Sequence, residues 1–255
     1  KYPIYADLHT HSISSGHGSE DTITDMIRCA SESGLSLFGI SDHGPATSSS
    51  AKPSYFQSLK LADRDRFGIR VLYGAELNII NTAGDVDLDD EILSALDYAI
   101  ISIHPPIFKP YHDKDLSSAY IRAMDHPKVR FLGHIDDARF PVDFEYLLEI
   151  AKEKHVYPEI NNGSLMPDAY RINGQENCRR ILSICKKLDL PVLLSSDSHG
   201  KKNIGNMQYI FPLLEELDFP AHLVLNSDLS VLSEIIRYCF FYIYCFFVLL
   251  KKFIL

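Results

Sequence analysis

The stretch Asp7-Leu8-His9-Thr10-His11 places three ionisable side chains at alternate positions. In an extended strand alternate residues share one face, about 7 Å apart, so a carboxylate and two imidazoles are presented together. The chain repeats this chemistry in Asp42-His43-Gly44, Gly74-Ala75-Glu76, Ser102-Ile103-His104, Gly133-His134-Ile135 and Asp197-Ser198-His199, with His17 in the loop Ser14-Ser15-Gly16-His17-Gly18-Ser19. Taken singly, each has an ordinary explanation: an exposed strand histidine, a turn or helix cap, a satisfied core histidine, a solvated loop. Glu76 is harder to explain that way, because it closes an apolar run and a bare carboxylate buried there costs several kcal/mol. Many imidazoles converging with carboxylates suit Zn²⁺ best, with Mn²⁺ and Fe²⁺ as alternatives. The set His9, His11, His17, His43, Glu76, His104, His134, Asp197 and His199 is too large for one tetrahedral ion. A carboxylate such as Glu76 can bridge, which points to two or three divalent metal ions. Closely spaced ions acidify a water, polarise a phosphoryl oxygen and stabilise both oxygens of an in-line displacement.

Strands are what must gather these groups. Short β-like runs at residues 4–8, 36–40, 71–75, 98–103, 129–133, 156–160 and 191–195 alternate with helical patterns, which predicts an α/β fold with a parallel sheet or barrel. Six of the seven runs end in the metal-ligand types above, and the seventh ends in Glu159-Ile160-Asn161-Asn162. In a parallel barrel the carboxyl ends of the strands form one rim, so residues far apart in sequence converge there. Seven of the eleven histidines fall at such ends or just after them, while His112, His126, His155 and His222 read as surface or polar-core residues. Helices are predicted from a cap at Asp21-Thr22 to Gly34, over 144–154 and 176–188, and from about Ser227-Asp228 onward. No Gly-, Ser- or Pro-rich linker divides the chain, so residues 1–237 read as one domain.

Composition narrows the function classes. The 255 residues carry a formal charge of −9 and are 46% hydrophobic, which disfavours disorder and argues against a nucleic-acid partner. Five cysteines without a C-x-x-C pair predict a reducing, cytoplasmic setting. The first residues lack the apolar segment of a signal peptide. Residues 238–250 form an unbroken apolar run, part of an apolar tail over 238–255, but 13 residues is short against the roughly 20 needed to span a bilayer. A membrane partner is not expected.

With these residues in place, the sequence resembles the polymerase and histidinol phosphatase (PHP) family, and within it the YcdX-like phosphatase branch. The resemblance rests on Asp7-Leu8-His9-Thr10-His11, Ser41-Asp42-His43-Gly44-Pro45, Gly74-Ala75-Glu76-Leu77-Asn78, His104-Pro105-Pro106, Gly133-His134, Glu159-Ile160-Asn161-Asn162 and Ser195-Ser196-Asp197-Ser198-His199. It implies a distorted seven-stranded (β/α)7 TIM-like barrel, the PHP fold, carrying a trinuclear metal centre. On the family pattern His9, His11, Glu76 and Asp197 hold one ion. Glu76, His104 and His134 hold a second, and His17, His43 and His199 a third. Glu76, Asp197 and His199 are also the residues it assigns to catalysis. The implied activity is hydrolysis of a small phosphorylated substrate, a phosphomonoester, by a hydroxide bridging two ions. Asp42 is expected to orient a histidine, and Arg139 and Arg171 read first as solvated arginines on the same rim. Two rivals remain open: a PHP-type 3′–5′ exonuclease or phosphodiesterase, and a non-catalytic metal-binding protein.

Overall fold

The strands lie in β1 (Ala6–Asp7), β2 (Thr10–His11), β3 (Leu37–Ile40), β4 (Asp65–Arg66), β5 (Ile69–Asn78), β6 (Tyr98–Ser102), β7 (Val129–Leu132), β8 (Tyr157–Asn161), β9 (Leu193–Ser195) and β10 (Ser198–His199). The computed structural model describes residues 1–108 and 114–237, so His112 and the apolar segment 238–255 lie outside the described residues. All seven predicted runs contain a strand, most of them shorter than predicted and β5 longer. They pair in parallel in the order β1-β3-β5-β6-β7-β8-β9, while β4 folds back antiparallel on β5. A parallel strand covered on both faces reads as a continuous apolar run, and in β5 every residue from Val71 to Asn78 is buried.

The helices follow from their caps and apolar stripes. Thr22 and Asp25 form a reciprocal capping box at the start of α1 (Ile23–Glu32), which satisfies two amide donors the helix cannot pair itself. Between β3 and β7 come the short helices α2 (Pro53–Ser58), α3 (Asp90–Leu93) and α4 (Ser117–Ala123). Then follow α5 (Phe144–Glu153), α6 (Gly174–Leu188), α7 (Phe211–Glu216) and α8 (Leu229–Arg237). Met26, Ile27, Leu147, Leu148, Ile181 and Leu182 pack with the outward side chains of the sheet, including Val71, Ala99 and Leu194. A second cluster occupies the other face, where Leu72, Ile100, Phe131 and Leu193 meet Leu232, Ile235 and Ile236 of α8. Glu76 and Glu159 share the strand positions of that inner face by period two.

The ring is nearly closed, and its seam has two parts. At the carboxyl ends β10 pairs in parallel with β2, setting Ser198 beside Thr10 and His199 beside His11. Below that, the buried side chain of Asn226 takes the place of a strand residue. Its Nδ2 donates to the carbonyls of Ala6 and Leu194, and its Oδ1 accepts from the Leu194 amide, each at 2.8 Å. One side-chain amide thus bridges the first and last strands, which otherwise would face each other with unpaired backbone groups.

Candidate metal centre

The nine residues singled out from the sequence lie in one cluster of mutual contacts at the carboxyl rim. Glu76, on β5, stands at its middle and is fully buried. Its Oε1 lies 2.9 Å from His134 Nε2 and 3.4 Å from both His9 Nε2 and His104 Nε2. Its Oε2 lies 2.6 Å from His43 Nδ1 and 3.6 Å from His11 Nε2. Asp197 Oδ1 lies 3.2 Å from His11 Nε2 and 3.6 Å from His9 Nε2. Beyond His11 the rings continue outward: His11 stacks on His43 and His199 at 4.2 and 4.3 Å, and the exposed His17 stacks on His43 at 4.9 Å.

Local backbone geometry aims these groups. His134 and Asp197 both adopt positive φ, 28° and 51°, a region costly for residues other than glycine and concentrated at functional sites. Gly133 precedes the first of these turns, and a Cβ there would stand 2.1 Å from Ser102 Oγ. A larger residue there would push aside the Ser102 hydroxyl and crowd Ile100 Cγ2, at 2.9 Å, so glycine lets the chain turn His134 inward without displacing either.

The partners behind the ligand atoms are equally ordered. His9 Nδ1 contacts Glu159 Oε1 at 2.5 Å, and His104 Nδ1 contacts Asn78 Oδ1 at 2.7 Å. Such contacts fix which nitrogen carries the proton and orient the ring. Glu159 also accepts from the His134 amide, the Asn161 amide group and the Ser195 hydroxyl. Asp197 Oδ2 accepts from Asn161 Nδ2 at 3.0 Å and Arg171 Nη2 at 2.7 Å, which leaves Oδ1 facing His9 and His11. Arg171 is thus a half-buried partner of Asp197 rather than a solvated arginine. Arg139 likewise pairs with Asp137 and lies over the ring of Tyr170 at 4.2 Å. Among the described residues Asp42 hydrogen-bonds to no imidazole, and its link to a histidine runs through Ser15. His126 and His222 pair with Asp90 and Asp189, away from the centre.

Electrostatics explain how so many ionisable groups coexist. Burial opposes charge on His9, yet Glu159, Glu76 and Asp197 outweigh it and hold its pKa well above the usual imidazole value. Burial, reinforced by His43 and His199, holds His11 well below that value. Burial would raise Glu76, but His104, His9 and His43 hold it well below the usual carboxylate range. Asp197 is lowered in the same way, against burial, by His9 and Arg171.

The donor set fits divalent cations. Within the described residues, His9 Nε2, His11 Nε2, His43 Nδ1 and Glu76 Oε2 are buried without a hydrogen-bond partner. An unsatisfied buried polar atom costs about 1–3 kcal/mol, and these four face a common space. Three ligand sets lie close enough to share an ion: His9, His11 and Glu76; His43, Glu76 and His104; His11, His43 and His199. The sets overlap, so neighbouring ions would share side chains.

Glu159, Asn78, Ser15 and Arg171 were not among the residues singled out as ligands. Glu159 carried a signal, since it alternates with Asn161 on the inner face of β8. Arg171 was placed on the rim by its loop, but nothing in the sequence pointed to its pairing with Asp197.

A parallel α/β barrel with imidazoles and carboxylates gathered at its carboxyl rim defines a class of metal-site barrel proteins. The chain belongs to the PHP domain family, whose model matches residues 7–163. It is 37% identical over 237 residues to a protein of Clostridium acetobutylicum named "Probable phosphatase", covering 93% of this chain and 95% of that one. A protein of the same name from Acetivibrio thermocellus is 34% identical over 231 residues, covering 91% and 94%. Among solved structures, histidinol phosphate phosphatase from Lactococcus lactis, complexed with zinc, L-histidinol and phosphate, superposes with a TM-score of 0.59 at 20% identity, covering 85% of this chain and 94% of that one. Among the described residues no helix is long and apolar enough to cross a membrane.

Proposed function

We propose that the protein is a metal-dependent phosphatase that hydrolyses small phosphomonoesters at the rim centre, using three divalent ions with zinc favoured. The observation that carries this reading is Glu76, one buried carboxylate within 3.6 Å of five imidazoles, with three of the surrounding ring nitrogens and its own Oε2 lacking a hydrogen-bond partner. Support comes from the names of the relatives and from the zinc and phosphate bound by the Lactococcus lactis neighbour. His9, His11, Glu76 and Asp197 would hold one ion, Glu76, His104 and His134 a second, and His17, His43 and His199 a third. When bound, the ions supply an acidified water and positive charge for the phosphoryl oxygens.

The chain's own groups do the rest. Glu159 and Asn78 orient His9 and His104. Arg171 and Asn161 hold one oxygen of Asp197 so that the other faces inward. The absence of cysteine from the donor set separates this centre from closed structural zinc sites, which are usually cysteine-rich. Elemental analysis of purified protein, paired with phosphate release from a panel of phosphate esters before and after chelation, tests the reading. Close to three ions per chain and chelator-sensitive release are expected. Faster cleavage of a 3′-labelled oligonucleotide would favour the exonuclease, and full metal loading without phosphoesterase activity would reject catalysis.

A further inference from the structure

Ser15 stands between a candidate ligand and a buried carboxylate. It lies in the turn after β2 and is fully buried, as are His11 and Asp42. Three contacts meet at its hydroxyl. His11 Nδ1 lies 3.0 Å away, the His43 amide donates to it at 3.1 Å, and it lies 2.8 Å from Asp42 Oδ1.

Donor and acceptor counting decides the direction of each bond. A carboxylate only accepts, and Asp42 is ringed by donors: the Ser12 amide and hydroxyl, the Ser15 hydroxyl and the Tyr55 phenol at 2.5 Å. The single Ser15 proton therefore goes to Asp42. A backbone amide only donates, so one Ser15 lone pair takes the His43 amide. What remains for His11 is the second lone pair, and Nδ1 must carry a hydrogen to use it. The other nitrogen, Nε2, is then the bare one, and it faces Asp197 Oδ1 and Glu76 Oε2.

We propose that Ser15 is a positioning residue that locks His11 as the Nδ1–H tautomer, with Asp42 holding the hydroxyl and Tyr55 of α2 holding Asp42. The lock keeps the Nε2 lone pair aimed into the centre before any ion arrives. The tautomer assignment stands on hydrogen bonding alone, and its use in metal capture rests on the function proposed above. His9 is oriented by a charged partner and His104 by an amide, whereas His11 is oriented by a neutral hydroxyl with the charge one step removed. Tyr55 makes the lock sensitive to α2, a helix that contributes no ligand.

Nitrogen NMR tests it on the full-length chain, stripped of metal by chelator and labelled with ¹⁵N-histidine. The His11 resonances are assigned by their loss in His11→Gln. Wild type should show a protonated-type Nδ1 and a bare-type Nε2 at His11. Ser15→Ala should show a mixture of both tautomers, and Ser15→Thr, which keeps the hydroxyl, should restore the single form. Zinc retention against a competing chelator should fall about 10–100-fold in Ser15→Ala, as for other lost partners of ligand histidines. A wild-type signal with the proton on Nε2, or an unaltered signal in Ser15→Ala, overturns the proposal. A correct tautomer in a protein that hydrolyses no phosphoester would defeat the function instead and leave the lock standing.

Discussion

His9 and Glu159 meet at 2.5 Å although they lie 150 positions apart, one between β1 and β2 and the other on β8. Both are fully buried, and the same carboxylate accepts from the His134 amide. Glu159 therefore aligns two candidate ligands from opposite sides of the ring without itself facing the shared space.

Glu159→Gln removes the charge and keeps the shape. Zinc affinity should fall by about 10–100-fold, the usual cost of losing such a partner, while thermal unfolding of the metal-free protein changes little. Competition with a fluorescent chelator reads the affinity, and an unaltered constant would sink the assigned role.

Glu76→Gln should cost more than any single histidine substitution. A bridging carboxylate serves two ions, so metal content should drop by about two ions per chain, where His104→Gln removes about one. Phosphate release should vanish with Glu76→Gln. Full metal loading of this variant by elemental analysis would contradict the bridging role.

Metal uptake should release protons. Glu159, Glu76 and Asp197 hold the pKa of His9 well above the usual imidazole value, which favours its protonated form in the metal-free protein, and binding through Nε2 requires that proton to leave. His11, held below that value by burial, favours the neutral form and has less proton to give up. Zinc added to stripped protein in weak buffer at pH 7 should acidify the solution, and the release should diminish in His9→Gln. The apparent zinc affinity should accordingly weaken as pH falls.

Asn226→Ala tests the seam. It strands the Leu194 amide and the carbonyls of Ala6 and Leu194 in a buried setting. At about 1–3 kcal/mol for each of the three groups left unsatisfied, a loss of at least about 3 kcal/mol is expected by urea unfolding. Asn226→Asp should lose more, because a carboxylate cannot donate to two carbonyls. A change below about 0.5 kcal/mol would show that the seam is held elsewhere.

The seven barrel strands were legible because buried parallel strands are written as apolar runs and because turn residues follow them. The histidines were legible by their place after those runs. The short helices α2, α3 and α7, of six, four and six residues, are too brief to show a helical period. The partners behind the ligands were hidden for another reason. Ser15, Asn78 and Arg171 are common residue types, and their roles arise only from where the closed ring brings them. Asn226 is the extreme case: an amide in a short turn reads as a surface residue, yet it is fully buried. Asp42 was expected to orient a histidine, and the Ser15 hydroxyl through which it reaches His11 belongs to a tight turn whose geometry no spacing rule predicts.

The pairing of β10 with β2 has an outcome during synthesis. His11 and His199 become neighbours only when the latest barrel segment lands beside the earliest. A polypeptide still emerging from the ribosome would own most of the histidines, but the proposed sites that draw on Asp197 and His199 would be completed only once the ring shuts. Once lodged, the cations would act as a rivet across that joint, and their removal should loosen the enclosure first where its beginning and end touch.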